Sequence, residues 1–305
     1  MAIGNAGIYL GIGLAIIAMV LSYLRLNTED ERLERLARQA SLGLFSIVTI
    51  LALYLYYLFL TADVSYEYVW LYTSEDAPLK YKFSGVLAGK AGSLLFWIWM
   101  ITIPWAIEEL RAGKHKVDPA IRAWTRIGVM GATVVLLYVL ALNDLFGAAT
   151  DDMLSSQPGG QGLNALLQTD LMVIHPPIVF VAYGFMVLPF AAGFAYLVTQ
   201  HKDWVKLSMF WSRAGWLFLT MGIAIGGVWA YTTLGWGGYW GWDPVETSSL
   251  LPWLLLSGFL HAQLMYKRKG DYTLTAPLMG IFSYILVVFA TFATRAAGLW
   301  VSVHS

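Results

Sequence analysis

The sequence predicts an all-α polytopic membrane protein of about eight transmembrane helices, with both termini outside. Composition carries the first part of that reading. Apolar residues make up 58% of the 305 positions and charged residues only 12%, against about 25% charged in a soluble domain. Eight stretches are apolar over the roughly 20 residues that a helix needs to cross the hydrocarbon core. The cations between those stretches then crowd onto alternate loops, which orients the bundle.

The expected spans are 3–24, 40–61, 93–110, 127–146, 171–199, 214–233, 250–266 and 274–293. The first lacks a basic segment ahead of it and is long enough to span, so it reads as a helix that stays rather than as a cleaved signal. Of the 19 Lys and Arg, 15 fall in the loops 25–39, 111–126, 200–213 and 266–273. The other side holds Lys80, Lys82, Lys90 and Arg295. This split puts the loops 62–92, 147–170 and 234–249 outside, and gives the basic loops the job of setting topology. In the first basic loop Glu29, Asp30, Glu31 and Glu34 interleave with arginines, as on a solvated helical face laced with ion pairs. The stretch 147–164, with Ser155, Ser156, Pro158, Gly159, Gly160 and Gly162, reads as a flexible outer loop. No internal repeat or soluble domain boundary interrupts the chain, so 1–305 reads as a single transmembrane domain.

Two features exclude function classes. A net charge of zero argues against a nucleic-acid partner, whose phosphates call for a basic surface. With no cysteine in the chain there is no disulfide, thiolate ligand or thiol nucleophile.

The outer loop at about 234–249 is the most informative segment. It reads Trp236-Gly237-Gly238-Tyr239-Trp240-Gly241-Trp242-Asp243-Pro244-Val245-Glu246. Its glycines let the backbone turn sharply and approach a ligand closely. Its aromatics suit either an interfacial belt or a flat apolar platform for a flat apolar ligand, and a belt needs neither the glycines nor the clustering. Asp243, Pro244 and Glu246 have the spacing of a helix start, with an N-cap, Pro at the first helical position and a capping-box Glu.

The histidines divide by position. His115 and His201 lie in basic loops and read as solvated. His175, just before Pro176 and Pro177, sits at the outer mouth of the fifth span, and His304 lies outside after the eighth. Each can serve as a hydrogen-bonding interfacial residue. Brought together, two neutral imidazoles can also ligate the two faces of an iron porphyrin. Zinc would want about four ligands, and the outer side offers no Cys or further His. His261 falls roughly 17 Å into the seventh span, near mid-membrane, where an ionisable group marks a functional suspect or a histidine bonded to a neighbouring helix.

With those residues laid out, the chain resembles the haem-handling WWD family of cytochrome c biogenesis, whose mark is an outer Trp-rich loop flanked by two outer histidines. Within it the chain is most similar to the haem lyase branch, CcmF. Gly92-Ser93-Leu94-Leu95-Phe96-Trp97, Leu163-Asn164-Ala165-Leu166-Leu167-Gln168 leading to His175, and the stretch from Trp253 to His261 support that choice. The resemblance implies that His175 and His304 ligate an outer haem in transit, lying on Trp236, Gly237, Gly238, Tyr239, Trp240, Trp242 and Asp243. It implies that His261 is one axial ligand of a structural haem b in the membrane. The downstream part of a typical member supplies the second ligand to that haem, so either a separate membrane chain completes the lyase, or the membrane haem is absent here, or it is ligated differently. The implied partners are a CcmE-like haem chaperone, apocytochrome c and a CcmH-like protein presenting its thiols, with the cytoplasmic membrane's bilayer as solvent and the active face outside. The implied role is a haem lyase component acting in a complex.

Two other readings compete. A haem transporter or loader of the CcmC or CcsA type shares the loop, but the stretches 92–97 and 163–168 weigh against it. A respiratory subunit with structural b haems would need pairs of histidines within its spans, and only His261 lies deep in one. A reporter fused after His304 should lie outside the cytoplasm; a cytoplasmic signal there would overturn the orientation.

Overall fold

The computed structural model describes residues 2–28, 30–113, 116–233, 235 and 237–295. Lipid offers no partner to a backbone amide or carbonyl, so a chain this apolar has to satisfy its own backbone, and helices do so within one segment. The first long helices are α1 (Ala2–Thr28) and α2 (Glu31–Leu60), followed by two short ones, α3 (Glu67–Tyr72) and α4 (Leu79–Gly85). Next come α5 (Lys90–Leu110), α6 (Pro119–Ala141) and the short α7 (Asp151–Ser156). A 3₁₀ turn at Ala165–Leu167 leads to α8 (Asp170–Phe185) and α9 (Val187–Thr199), then α10 (Trp204–Thr233), α11 (Pro244–Lys269) and α12 (Thr275–Arg295).

Seven spans among the described residues are apolar and long enough to cross a membrane, with α8 and α9 counted as one. The one expected span outside these seven, 250–266, the seventh in order, corresponds to α11. Its 26 residues reach about 39 Å at 1.5 Å per residue, but Glu246, three serines, His261, Gln263 and a basic last turn dilute its apolar character. The chain is thus an all-α multi-pass membrane protein.

Local chemistry sets the ends. Asp30 caps α2 by accepting from the Arg32 amide at 2.7 Å. Asp118 caps α6 with Pro119 at its first position. Gln200 and Gly270 close α9 and α11 in the left-handed conformation. The expected fifth span is broken at Met186. Pro189 explains the break, since it has no amide to donate and its ring opposes the carbonyl four residues earlier, that of Phe185.

α1, α2, α5 and α6 form one group, and α8 to α12 the other, joined by α5 against α8 and α6 against α9. At the first junction a Cβ on Gly184 would lie 2.5 Å from the Met100 carbonyl, so the helices meet backbone to backbone only because that residue is glycine.

The ends of the bundle, outer and inner in the sense of the charge split, are built differently. The outer loops pack on one another instead of waving free. Trp70 Nε1 donates to the Gln157 carbonyl at 2.8 Å, the Gln161 amide to Trp70 at 2.8 Å and the Gly162 amide to Thr73 at 3.0 Å. Gly160 holds φ +92° with the Thr73 carbonyl 2.5 Å from where a Cβ would be. The stretch expected as a flexible loop therefore contains α7 and is tied down, because its glycines allow close backbone pairing.

The inner end is held by buried charge. Arg126 is wholly buried. Its Nε meets Glu109 at 2.6 Å and its Nη2 meets Glu34 at 2.6 Å, while Nη1 donates to Ser22 at 3.1 Å. One guanidinium thereby joins α6 to α5, α2 and α1. Glu34, expected on a solvated face, is turned inward by this pairing. Beside it, Trp211 donates to the buried Glu108 at 2.8 Å. A second tie joins the next inner loops. Burial opposes the charge on Asp203, but Lys206 at 2.7 Å and the Asp118 amide at 2.9 Å outweigh it and hold its carboxyl below the usual range.

Removing one partner of a buried pair strands the other charge, at about 3–5 kcal/mol. Glu109→Ala should therefore lower the thermal midpoint in detergent sharply. Lys80→Ala, which breaks the exposed Lys80–Asp170 pair, should leave it unmoved. Equal shifts would show that the buried cluster does not hold the inner end.

Candidate functional site

A cavity of about 460 Å³ opens among the outer ends of α5, α8, α10, α11 and α12, within the usual size range of ligand pockets. α8 contributes His175, Val179 and Phe180; α10 contributes Ile223, Gly226 and Trp229. Pro176 and Pro177 follow His175 inside α8 and cannot donate to the carbonyls four residues back, which loosens the helix where the cavity begins.

His175 is half-buried, and its Nδ1 lies 2.9 Å from the Gly222 carbonyl. A carbonyl only accepts, so Nδ1 carries the proton and the lone pair sits on Nε2. A backbone carbonyl bonded to one ring nitrogen in this way orients the imidazole and raises its basicity as a metal ligand. The ring also meets Trp229 edge-on, with centroids 5.7 Å apart.

The Trp loop contributes unevenly. Trp240 lines the cavity, with its Nε1 enclosed and unpartnered among the described residues. Trp242 packs edge-on against Trp240 at 5.8 Å and is otherwise exposed. Tyr239 stacks on Tyr231 at 4.7 Å and is exposed too. Gly237 has φ +68° and Gly238 is half-buried beside it. Trp236 and His304 lie outside the described residues. Asp243 and Glu246 form the capping box that their spacing predicts. Asp243 accepts from the Val245 amide at 2.8 Å, and Glu246 Oε2 from the amides of Gly241 and Asp243 at 3.0 and 3.4 Å.

The two other stretches singled out in the sequence reach the same cavity. Asn164 caps the 3₁₀ turn through the Leu166 amide at 3.0 Å, and Asn164, Leu166 and Leu167 line the wall. At the start of α5, Ser93 lines the cavity, and Trp97 is fully buried against Tyr183 and Tyr284. Tyr68 braces that start: its hydroxyl donates to the Val86 carbonyl at 3.0 Å and accepts from the Gly89 amide at 3.1 Å. Burial pushes the Tyr68 phenol well up, so it stays a neutral hydroxyl.

His261 is elsewhere. It is exposed on α11, roughly 26 Å along the helix from Pro244. That is past the helix middle, because α11 starts six residues before the expected span. Leu251 and Leu254, also exposed, share its face at helical spacing. Further up, Trp253 donates to Thr220 at 2.7 Å and Trp216 to Ser257 at 2.8 Å, tying α11 to α10. Among the described residues no group of three or more His, Asp or Glu could hold a metal ion. His201 lies half-exposed between Asp118 and Asp203, as expected of a loop residue.

Sequence reasoning missed Arg295, Lys90 and Trp229 as cavity residues. The first two were visible only as the few outer cations.

The placement of His175 depends on Gly226. A Cβ there would lie 2.8 Å from the imidazole Cε1, so Gly226→Ala must push the ring aside, at about 1–3 kcal/mol for overpacking. Gly13, with nothing within 4 Å of its would-be Cβ, should tolerate Ala with no loss. Unchanged thermal midpoints for both variants would show that Gly226 is not the seat of the imidazole.

Comparison with known proteins converges on one family. The cytochrome C assembly protein family model matches residues 87–300. The chain is 33% identical over 307 residues to the cytochrome c-type biogenesis protein CcmF of Haemophilus influenzae, covering 99% of this chain and 46% of that protein. It is 34% identical over 313 residues to the cytochrome c-type biogenesis protein CycK of Rhizobium meliloti, covering 99% and 44% respectively. A solved structure described as cytochrome c heme lyase CcmF superposes with a TM-score of 0.82 at 26% identity, covering 95% of this chain and 46% of that one. The chain spans less than half the length of these relatives. With the family model matched over most of its length, this chain belongs to the cytochrome C assembly protein family, as a CcmF-type member.

Proposed function

We propose that this chain binds haem in the outer cavity and takes part in attaching it to apocytochrome c, as a component of a haem lyase in the bacterial inner membrane. The observation that carries the reading is His175, whose Nδ1 is bonded to the Gly222 carbonyl so that the basic lone pair sits on Nε2, in a cavity walled by apolar side chains and Trp240. A relative described as a heme lyase supports the same assignment.

Haem brings the vinyl groups that the reaction consumes. Thioether formation adds a thiol across each vinyl double bond, the sulfur to one carbon and the hydrogen to the other. This chain has no cysteine, so both thiols belong to the substrate. The work left to the chain is positioning, as is usual where a cofactor carries the chemistry. His175 on one face, and His304 on the other, would hold the iron. Trp240 would lie against the ring, and the apolar walls would keep water from the reacting edge. The cavity would face the periplasm, where a CcmE-like chaperone delivers haem and a CcmH-like protein presents the reduced apocytochrome.

A second haem, of type b, would draw one axial ligand from His261. One exposed imidazole fits one side of such a group; the described residues supply no second. An ionisable side chain facing lipid is costly, so the face bearing Leu251, Leu254 and His261 suits a further membrane segment or chain carrying the other histidine.

The experiment is haem retention by purified protein. His175→Ala and His304→Ala should each weaken it, the double variant should nearly abolish it, and added imidazole should partly restore a single variant. Trp240→Phe should be mild and Trp240→Ala worse, since a well-placed aromatic contact contributes about 0.5–1.5 kcal/mol beyond area burial. A double variant that keeps the wild-type spectrum and haem ratio would overturn the assignment.

A further inference from the structure

We propose that Arg295, with Ser93 and Lys90, forms a carboxylate-binding subsite in the outer cavity that grips the propionate edge of the haem. The proposal rests on the reading above and adds which edge of the ligand points where.

Arg295 ends α12 and lines the cavity. Its Nη2 donates to Ser93 Oγ at 2.7 Å and its Nη1 to the Thr291 carbonyl at 3.3 Å. Its Nε is enclosed and has no partner among the described residues, where Arg295 also makes no ion pair. A guanidinium does not give up its proton in a protein, and a half-buried charge is better held with a counter-charge beside it. Neutral oxygens alone do not supply one. Glu246 lines the same cavity, but no ion pair joins it to Arg295 among the described residues. A ligand carboxylate beside the guanidinium would supply that counter-charge.

Two further features point the same way. Ser93 and Lys90 lie in the first turn of α5, a 21-residue helix whose N-cap is Gly89 and has no side-chain cap. Its dipole adds positive potential there. Lys90 is exposed at the rim, so the cationic end runs from rim to interior. The same cavity is also lined by the apolar side chains of Val179, Phe180 and Ile223. A ligand that fits both is flat and apolar with anionic carboxylates along one edge, which describes haem. The planar guanidinium fork suits a carboxylate in bidentate contact, and anchoring that edge would fix which vinyl edge faces the incoming thiols.

The test titrates the full chain in detergent with ferric haem and with haem dimethyl ester, which lacks the carboxylates, following the Soret band. Wild type should bind haem roughly 10- to 100-fold more tightly than the ester, the range expected for a hydrogen bond to a charged group. Arg295→Gln should weaken haem to the level of the ester, leave the ester's affinity unchanged, and keep the iron's ligation spectrum. Arg295→Lys should restore part of the preference. Should Arg295→Gln fail to fold, Ser93→Ala and Lys90→Gln should each shrink the preference for haem. Equal wild-type affinity for haem and ester would overturn the subsite while leaving the haem site standing. So would an Arg295→Gln loss that falls equally on both ligands. Wild type that binds neither would overturn the haem reading and the subsite with it.

Discussion

A membrane interior supplies no hydrogen bonds, and most of this architecture follows from that constraint. Every backbone amide and carbonyl in the spans has to find a partner within the chain, which leaves helices as the building element. The same rule governs side chains. Hydroxyls within the spans bond back to the carbonyl four residues earlier, as Thr125, Thr133 and Ser208 do. Some indoles find a hydroxyl on a neighbouring helix, as Trp99 finds Thr49 and Trp253 finds Thr220, while Trp97, Trp105, Trp204 and Trp229 keep an enclosed Nε1 with no partner among the described residues. These bonds double as interhelical ties where no hydrophobic driving force separates protein from lipid.

The constraint relaxes at the two ends of the bundle, and the ends use the freedom differently. At the inner end, side chains close the structure. Arg126 draws α1, α2, α5 and α6 together through Ser22, Glu34 and Glu109, and Asp203 ties α10 to the start of α6 through the Asp118 amide. At the outer end the backbone does the closing, through the paired stretches around Trp70, Thr73, Gln157 and Gly162. Those stretches roof one side of the bundle and leave the cavity beside them, bounded by the mouths of five helices. An inner end closed by side chains and a scaffolded outer mouth suit the proposed task of holding a flat ligand in one orientation.

Much of this was legible in the amino-acid order. Apolar runs located the spans, because lipid burial is what hydropathy measures. They did not locate helix ends: α2 begins nine residues before its apolar run and α11 six before, because charged and hydroxyl residues outside the core still form helix. Pro189 was visible, but whether a proline bends or breaks a helix depends on its neighbours. The capping box at Asp243 was legible because it is local. Arg126 was not, since its partners are 17 and 92 positions away, and sequence alone offers no sign of such pairings. For the same reason His175 was read at the outer mouth, while its bond to Gly222, which sets its tautomer, needed the fold. Of the Trp loop, pattern alone singled out four aromatics alike; packing separates Trp240, on the cavity, from the exposed Tyr239 and Trp242.

Two arginines show how structure and function part in one chain. Both sit near the end of a span, and sequence treats them alike as topological cations. Arg126 is wholly enclosed and answered by two carboxylates, a serine and the face of Trp105 at 5.9 Å, so its charge is compensated from within and its role is to hold helices. Arg295 has a serine hydroxyl and one carbonyl of its own helix, with Nε enclosed and without a partner among the described residues. Among the described residues the fold assembles Glu34 and Glu109 around one guanidinium and gives the other, beside an open cavity, only neutral hydrogen-bond partners. The difference lies in what completes each cation: the chain's own carboxylates at the inner end and, in the proposal above, a ligand's carboxylate at the outer.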